Sequence, residues 1–168
     1  MLRESVSRRD VQSDVSAALT TQVMTSVAIA LQAGDVVSKL AFMSGATAAG
    51  TPTNWWFALY DNSATPALLG QTADQLTAAW AADTVKDLAL AAPVTITTTG
   101  LYYAACMVKA TTVPSLACAV LGRAAVAGAV LTGQKVLAQT SGSGLTTTAP
   151  ATIATPTTVA NLAYAVAH

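Results

Sequence analysis

The sequence predicts an all-β fold, an antiparallel, jelly-roll-like β-sandwich with a short N-terminal arm, on three observations. From Gln22 onward apolar residues recur with period two in short runs. Turn residues separate the runs at roughly 8 to 12 residue spacing, the signature of a sandwich or jelly roll. The alternation of helices and strands that a doubly wound fold needs is absent. The chain divides into an arm, 1–20, and a sandwich, 21–168. About eight or more strands are expected, antiparallel in the main, with helix confined to the arm and to Gln75–Ala82.

The arm is polar and charged. Leu2, Val6, Val11, Val15 and Leu19 recur at spacings near four, which suits a short amphipathic helix, a segment that orders on a partner, or a frayed terminus. It holds the only dense basic group, Arg3, Arg8 and Arg9, beside Glu4, Asp10 and Asp14. Val23, Thr25, Val27, Ile29 and Leu31 then form one strand face, ended by the turn signal "QAGD", and Val36–Met43 is expected as the hairpin partner.

After a Gly, Ala and Thr loop comes "TPTNWWFALYD", which places two of the three tryptophans side by side. On a strand Trp55, Phe57 and Leu59 leave one face, and Trp56, Ala58 and Tyr60 the other. Both faces are apolar, so the strand is either buried between two layers or pressed against another subunit.

Ala67–Gln71 reads as a short strand. "ADQLTAAWAAD" has the only interior helical propensity, with Trp80 pinning it to the sandwich. Val85–Leu90 and Val94–Thr97 read as strands flanking Pro93. The strand Leu101–Lys109 follows a Gly turn, with Leu101, Tyr103, Ala105 and Met107 opposite Tyr102, Ala104, Cys106 and Val108. Leu116–Leu121, Lys135–Thr140 and Leu162–Ala167 complete the strands, the last after the long loop "SGSGLTTTAPATIATPTT". Trp56, Phe57, Leu59, Tyr103, Met107 and Val108 are expected among the most buried residues.

At 168 residues the chain can bury a real core. It is 53% hydrophobic but only 10% charged, with eight basic and eight acidic residues. So little charge suits a surface partly hidden in an oligomer or covered by Thr, Ser and Ala. The neutral balance argues against nucleic acid as a partner. No run of about 18 apolar residues exists, which argues against a membrane span. No signal peptide is visible either, so synthesis in a cytosol is expected.

Chemistry has no visible carrier, and no enzyme, cofactor or metal is expected. The sole histidine, His168, is the final residue, so no histidine triad or metal cluster can be placed. Asp83 and Asp87 would stand about 13 Å apart on one strand face, as a solvated edge does. "SGSG" opens no helix and reads as a turn. Cys106 and Cys118 are too few for a disulfide framework and read as buried thiols, although pairing between neighbouring strands is the alternative.

The segments "WFALYD", "GLYYAACMV" and "ATTVPSLA", within Gly50–Ala117, resemble the β-sandwich domain of virion proteins of tailed phages that infect actinobacteria. It occurs there in head decoration proteins and at the C-terminal end of minor tail proteins. The likeness extends more loosely through "GSGLTTTAPATIATPTT" to Tyr164. Trp55 departs from it, since a polar residue usually precedes the equivalent of Trp56.

The resemblance implies a non-enzymatic virion component, commonly a homotrimer. Only about 20 residues precede the first strand, which favours a protein clipped directly onto a lattice. A capsid decoration protein on the head surface, bound to the major capsid protein, is therefore expected first. A minor tail protein or tail-tip module for a host receptor or surface glycan is expected second.

The capsid-anchoring residues would be Leu2, Arg3, Val6, Arg8, Arg9 and Val11, in an arm with little part in folding the sandwich. Trp55, Trp56, Phe57, Tyr60, Tyr102 and Tyr103 would form the oligomer interface or the core. A third reading, a carbohydrate-binding module, would need Trp55 or Trp80 exposed as a sugar-stacking platform.

Overall fold

The structure, a computed structural model, describes residues 2–12, 19–121 and 124–168. Among them are twelve strands, one four-residue helix, α1 (Ala124–Ala127), and one 3-10 turn, Arg8–Asp10. The first sheet runs β1 (Arg3–Glu4), β12 (Ala165–Ala167), β3 (Val36–Met43), β6 (Val85–Thr95). The second runs β10 (Thr157–Thr158), β9 (Ala138–Ser141), β2 (Met24–Leu31), β7 (Gly100–Lys109), β4 (Asn54–Tyr60), β5 (Leu68–Gln71). A short pair, β11 (Asn161–Ala163) with β8 (Cys118–Val120), stands beside them. Every pairing is antiparallel. The two sheets pack face to face, and the fold is an all-β sandwich.

Between the sheets lie Val27, Ile29 and Leu31 of β2, Leu40 and Phe42 of β3, Trp55, Phe57 and Leu59 of β4, and alternate residues of β7. In β3 the inward positions change parity, from Val37 to Leu40 and Phe42. A bulge does this: the N–H groups of Ser38 and Lys39 both donate to the His168 carbonyl, each at 2.8 Å. The extra residue lets all three apolar side chains face inward.

Trp56, Phe57, Leu59, Met107 and Val108 are wholly buried, and Tyr103 nearly so. The second apolar face of β4 and β7 is covered as well, by residues 145–153 of the Thr, Pro and Ala loop. Trp56, Ala58, Tyr60, Tyr103, Ala105 and Met107 pack there with Ala149 and Ile153. The Trp56 indole donates to the Thr146 carbonyl at 2.7 Å, and the Tyr60 hydroxyl to that of Pro150 at 2.8 Å. Gln71 holds the loop twice, donating to the Thr147 carbonyl and accepting from the Ala149 N–H. The loop begins at Gly142, whose φ of +74° suits glycine.

Several expectations are corrected. Val36–Met43 does not form a hairpin with β2: β2 pairs with β7 and β9, whereas β3 pairs with β6 and β12 in the other sheet. The "QAGD" turn instead carries the chain across the sandwich, pinned to Ile96 by hydrogen bonds at Gly34 and Asp35. Gln75–Ala82 is no helix. It is held as an irregular segment with Leu76 at positive φ, because Trp80 is drawn wholly into the core. The strands flanking Pro93 are one strand, β6, in which Pro93 is tolerated because β6 is a sheet edge. The terminal strand is two, β11 and β12, broken at Tyr164, where the chain changes partner.

Candidate attachment surface

The N-terminal segment is extended apart from its 3-10 turn, so the helical spacing of Leu2, Val6 and Val11 does not produce a helix there. Asp14 and Val15 lie outside the described residues. Arg3 and Glu4 pair with Ala167 and Val166, closing the edge that β12 would otherwise leave open. The Ser5 N–H donates to the Ala165 carbonyl, its hydroxyl donates to Ala163, and it accepts from the Ala165 N–H. Gln12 bridges Cys118. This tether differs from the expected arm with little part in the sandwich. Its cause is the row of unpaired groups on β12, and pairing over so few residues leaves no periodic signal in the sequence.

The charges divide into inward and outward groups. The Arg3 guanidinium clasps Asp35 at 2.9 and 3.2 Å and donates to Gln32 Oε1 at 2.7 Å. Asp35 also accepts from the Gln32 N–H. Arg3 is held above its usual value by that carboxylate, and Asp35 below the usual carboxylate range by the guanidinium first and the Gln32 N–H second. Glu4 accepts from the Tyr164 hydroxyl at 2.9 Å and pairs with Arg8 at 3.0 Å. Burial, and then that carboxylate, raise the Tyr164 hydroxyl. Val6 packs on the inter-sheet core and Val11 is half-buried. Leu2, Arg8, Arg9 and Asp10 face outward, with Leu2 64% exposed.

The six aromatic candidates are all inside the chain. Trp55, Phe57 and Tyr102 face the inter-sheet core, and Trp56, Tyr60 and Tyr103 face the covering loop. Trp55 stacks on Trp80 with centroids 5.1 Å apart, and Phe57 meets Trp80 edge-on at 5.6 Å. The Trp55 indole donates to the Ala78 carbonyl and the Trp80 indole to that of Thr84. Both rings are buried, so neither is a sugar-stacking platform. Burial pushes the hydroxyl of Tyr60 and the thiol of Cys106 well up, and Cys106 is an unoxidised thiol in the core, so it is not joined to Cys118.

The outward apolar surface lies elsewhere, where the sequence showed only an Ala and Gly rich stretch. Val126, Val130 and Leu131, after Leu121 and around α1, are 48%, 64% and 66% exposed. With Leu101 and Leu137 the two valines line a hollow of about 510 Å3. At the opposite terminus His168 lies 2.9 Å from Asp87, which also receives Lys39 at 3.0 Å. Asp83 sits in the turn before β6 and not on one strand face with Asp87. Among the described residues no helix is long and apolar enough to cross a membrane, and no group of three metal-ligating side chains converges. Comparison with protein-family models, curated proteins and solved structures found no match to this chain.

Proposed function

We propose that this chain is a structural protein of a tailed-phage virion, a decoration protein that sits as a trimer on the outer surface of the head. The observation that carries the reading is the likeness of the Gly50–Ala117 segments to virion β-sandwich domains, on a chain that folds as a sandwich. Two surface features support it. Leu2, Arg8, Arg9 and Asp10 point outward from a segment whose base is fixed in the sheet, so a lattice contact made there would transmit force directly to the fold. Val126, Val130 and Leu131 offer apolar area on a surface short of charge. Burying each such side chain against a second subunit would contribute about 1.5–3 kcal/mol.

The test is attachment to purified heads that lack the protein. The native chain should sediment with them. A Leu2→Ala, Arg8→Ala, Arg9→Ala variant should stay folded and remain in the supernatant. Undiminished sedimentation of that variant would remove the arm as the anchor, and failure of the native chain to bind any head would remove the reading itself.

A further inference from the structure

Residues 127–137 form a loop that is fixed at both ends. Its base is closed by the Leu137 N–H, which donates to the Ala127 carbonyl at 2.6 Å, and is tied to β2 by the Ala28 N–H, which donates to the Leu137 carbonyl at 2.8 Å. Ala127 is wholly buried. At the far end Gln134 staples the turn: its Oε1 accepts from the N–H groups of Val130 and Leu131, each at 2.9 Å, and its own N–H donates to the Leu131 carbonyl at 3.1 Å. Gly133, at φ +88°, makes the reversal between them.

This order holds an apolar tip in water. Leu131, 66% exposed, is the most exposed large apolar side chain among the described residues. It lies outside the lining of the adjacent hollow of about 510 Å3, which Leu101, Val126, Val130 and Leu137 form. The stapled turn therefore keeps Leu131 out of an apolar recess beside it. Among the described residues Lys135 is the only charged one in that lining, and its ammonium reaches the Ser63 carbonyl in the neighbouring cleft, which leaves its aliphatic stem to the hollow.

We propose that the hollow receives the 130–131 tip of a second copy of this chain, with Leu131 as the inserted side chain and Gln134 as the residue that positions it. A second copy is the occupant that covers both features at once. A foreign ligand in the hollow would leave Leu131 in water, whereas copies that exchange tips bury tip and hollow together. A tip already fixed by Gln134 loses little freedom on insertion, so more of the burial appears as affinity. In a trimer each copy gives its tip to one neighbour and takes that of the other, a head-to-tail contact that closes as a ring. The contact rests on the proposal that copies of this chain associate, and it adds which parts meet.

The experiment is native mass measurement of the full chain at micromolar concentration, with two single variants and their mixture. Leu131→Asp spoils the tip and Val126→Asp the hollow, and both positions are exposed enough to leave the fold intact. Each variant should be monomeric with native circular dichroism, its self-association weakened at least about thirtyfold. Mixed in equal amounts, the two should form a heterodimer but no trimer at concentrations where neither associates alone, because the intact tip of one still fits the intact hollow of the other. Gln134→Ala should weaken the trimer at least about tenfold with circular dichroism unchanged, and should speed hydrogen exchange at the Val130 and Leu131 N–H groups. Should either single variant fail to fold, Leu131→Ser and Val126→Ser take their place. A native trimer that neither variant disturbs would overturn this contact and leave the trimer standing. Variants that stay monomeric when mixed would overturn the insertion of tip into hollow, and undiminished association by Gln134→Ala would overturn the positioning role. A native chain that is itself monomeric, whatever else the hollow then binds, would overturn this contact and the trimer together.

Discussion

Trp55 and Trp80 anchor each other through a stacked contact, an indole hydrogen bond apiece and full burial. Lys86 closes the site, its ammonium 5.7 Å from the Trp55 ring centroid. Trp80→Ala should therefore cost about 3–5 kcal/mol through the cavity and the lost contacts, read as a lower denaturant midpoint at unchanged slope. A loss under about 1 kcal/mol would mean that the segment around Trp80 is held by other contacts. The Arg3–Asp35 pair gives a pH signature. Asp35 binds its proton less readily folded than unfolded, so its contribution is fully present above about pH 4 and is lost as pH falls through the lower folded value. The stability gap between the native chain and Asp35→Asn should thus be wider at about pH 7 than at about pH 3. An equal gap at both would contradict the assignment.

At the scale of elements, the tryptophan strand was legible because period two places whole apolar sets on each face of β4, and both sets are buried. What covers the second face was not legible. A loop of Thr, Pro and Ala has no periodicity, and its hold on β4 runs through backbone carbonyls that any residue supplies. Tyr60→Phe should accordingly cost about 0.5–1.5 kcal/mol and speed hydrogen exchange in residues 145–153. Unchanged exchange would show that the hydroxyl does not hold the loop. The β2–β3 hairpin misled for a related reason: a turn signal marks a change of direction but not whether the next strand joins the same sheet. The N-terminal tether changes what truncation should do. Removing residues 1–5 strips β12 of its edge partner, so the melting temperature should fall by several degrees, on the scale of about 2–4 °C for each kcal/mol lost.

For the molecule as a whole, both faces of the aromatic strands are buried within the chain, so Trp55, Trp56, Phe57, Tyr60, Tyr102 and Tyr103 belong to the core, and under the trimer proposal the outward apolar residues around α1 would supply the contact between subunits. The trimer proposal then makes a specific demand: Val130→Asp with Leu131→Asp should shift the native mass in solution from trimer to monomer while leaving circular dichroism unchanged. A native chain that is monomeric at micromolar concentration would sink the trimer.

The pairing of β1 with β12 also sets an order of events during synthesis. Glu4 and the Tyr164 that donates to it are 160 positions apart. At ribosomal speeds the N-terminal strand therefore waits on the order of ten seconds for its neighbour to be made. During that wait β3 lacks one of its flanking strands, so the half-built first sheet presents an open edge to every other nascent chain nearby. Crowded translation of this protein should favour aggregation at that stage, and slowing the supply of chains should raise the soluble yield.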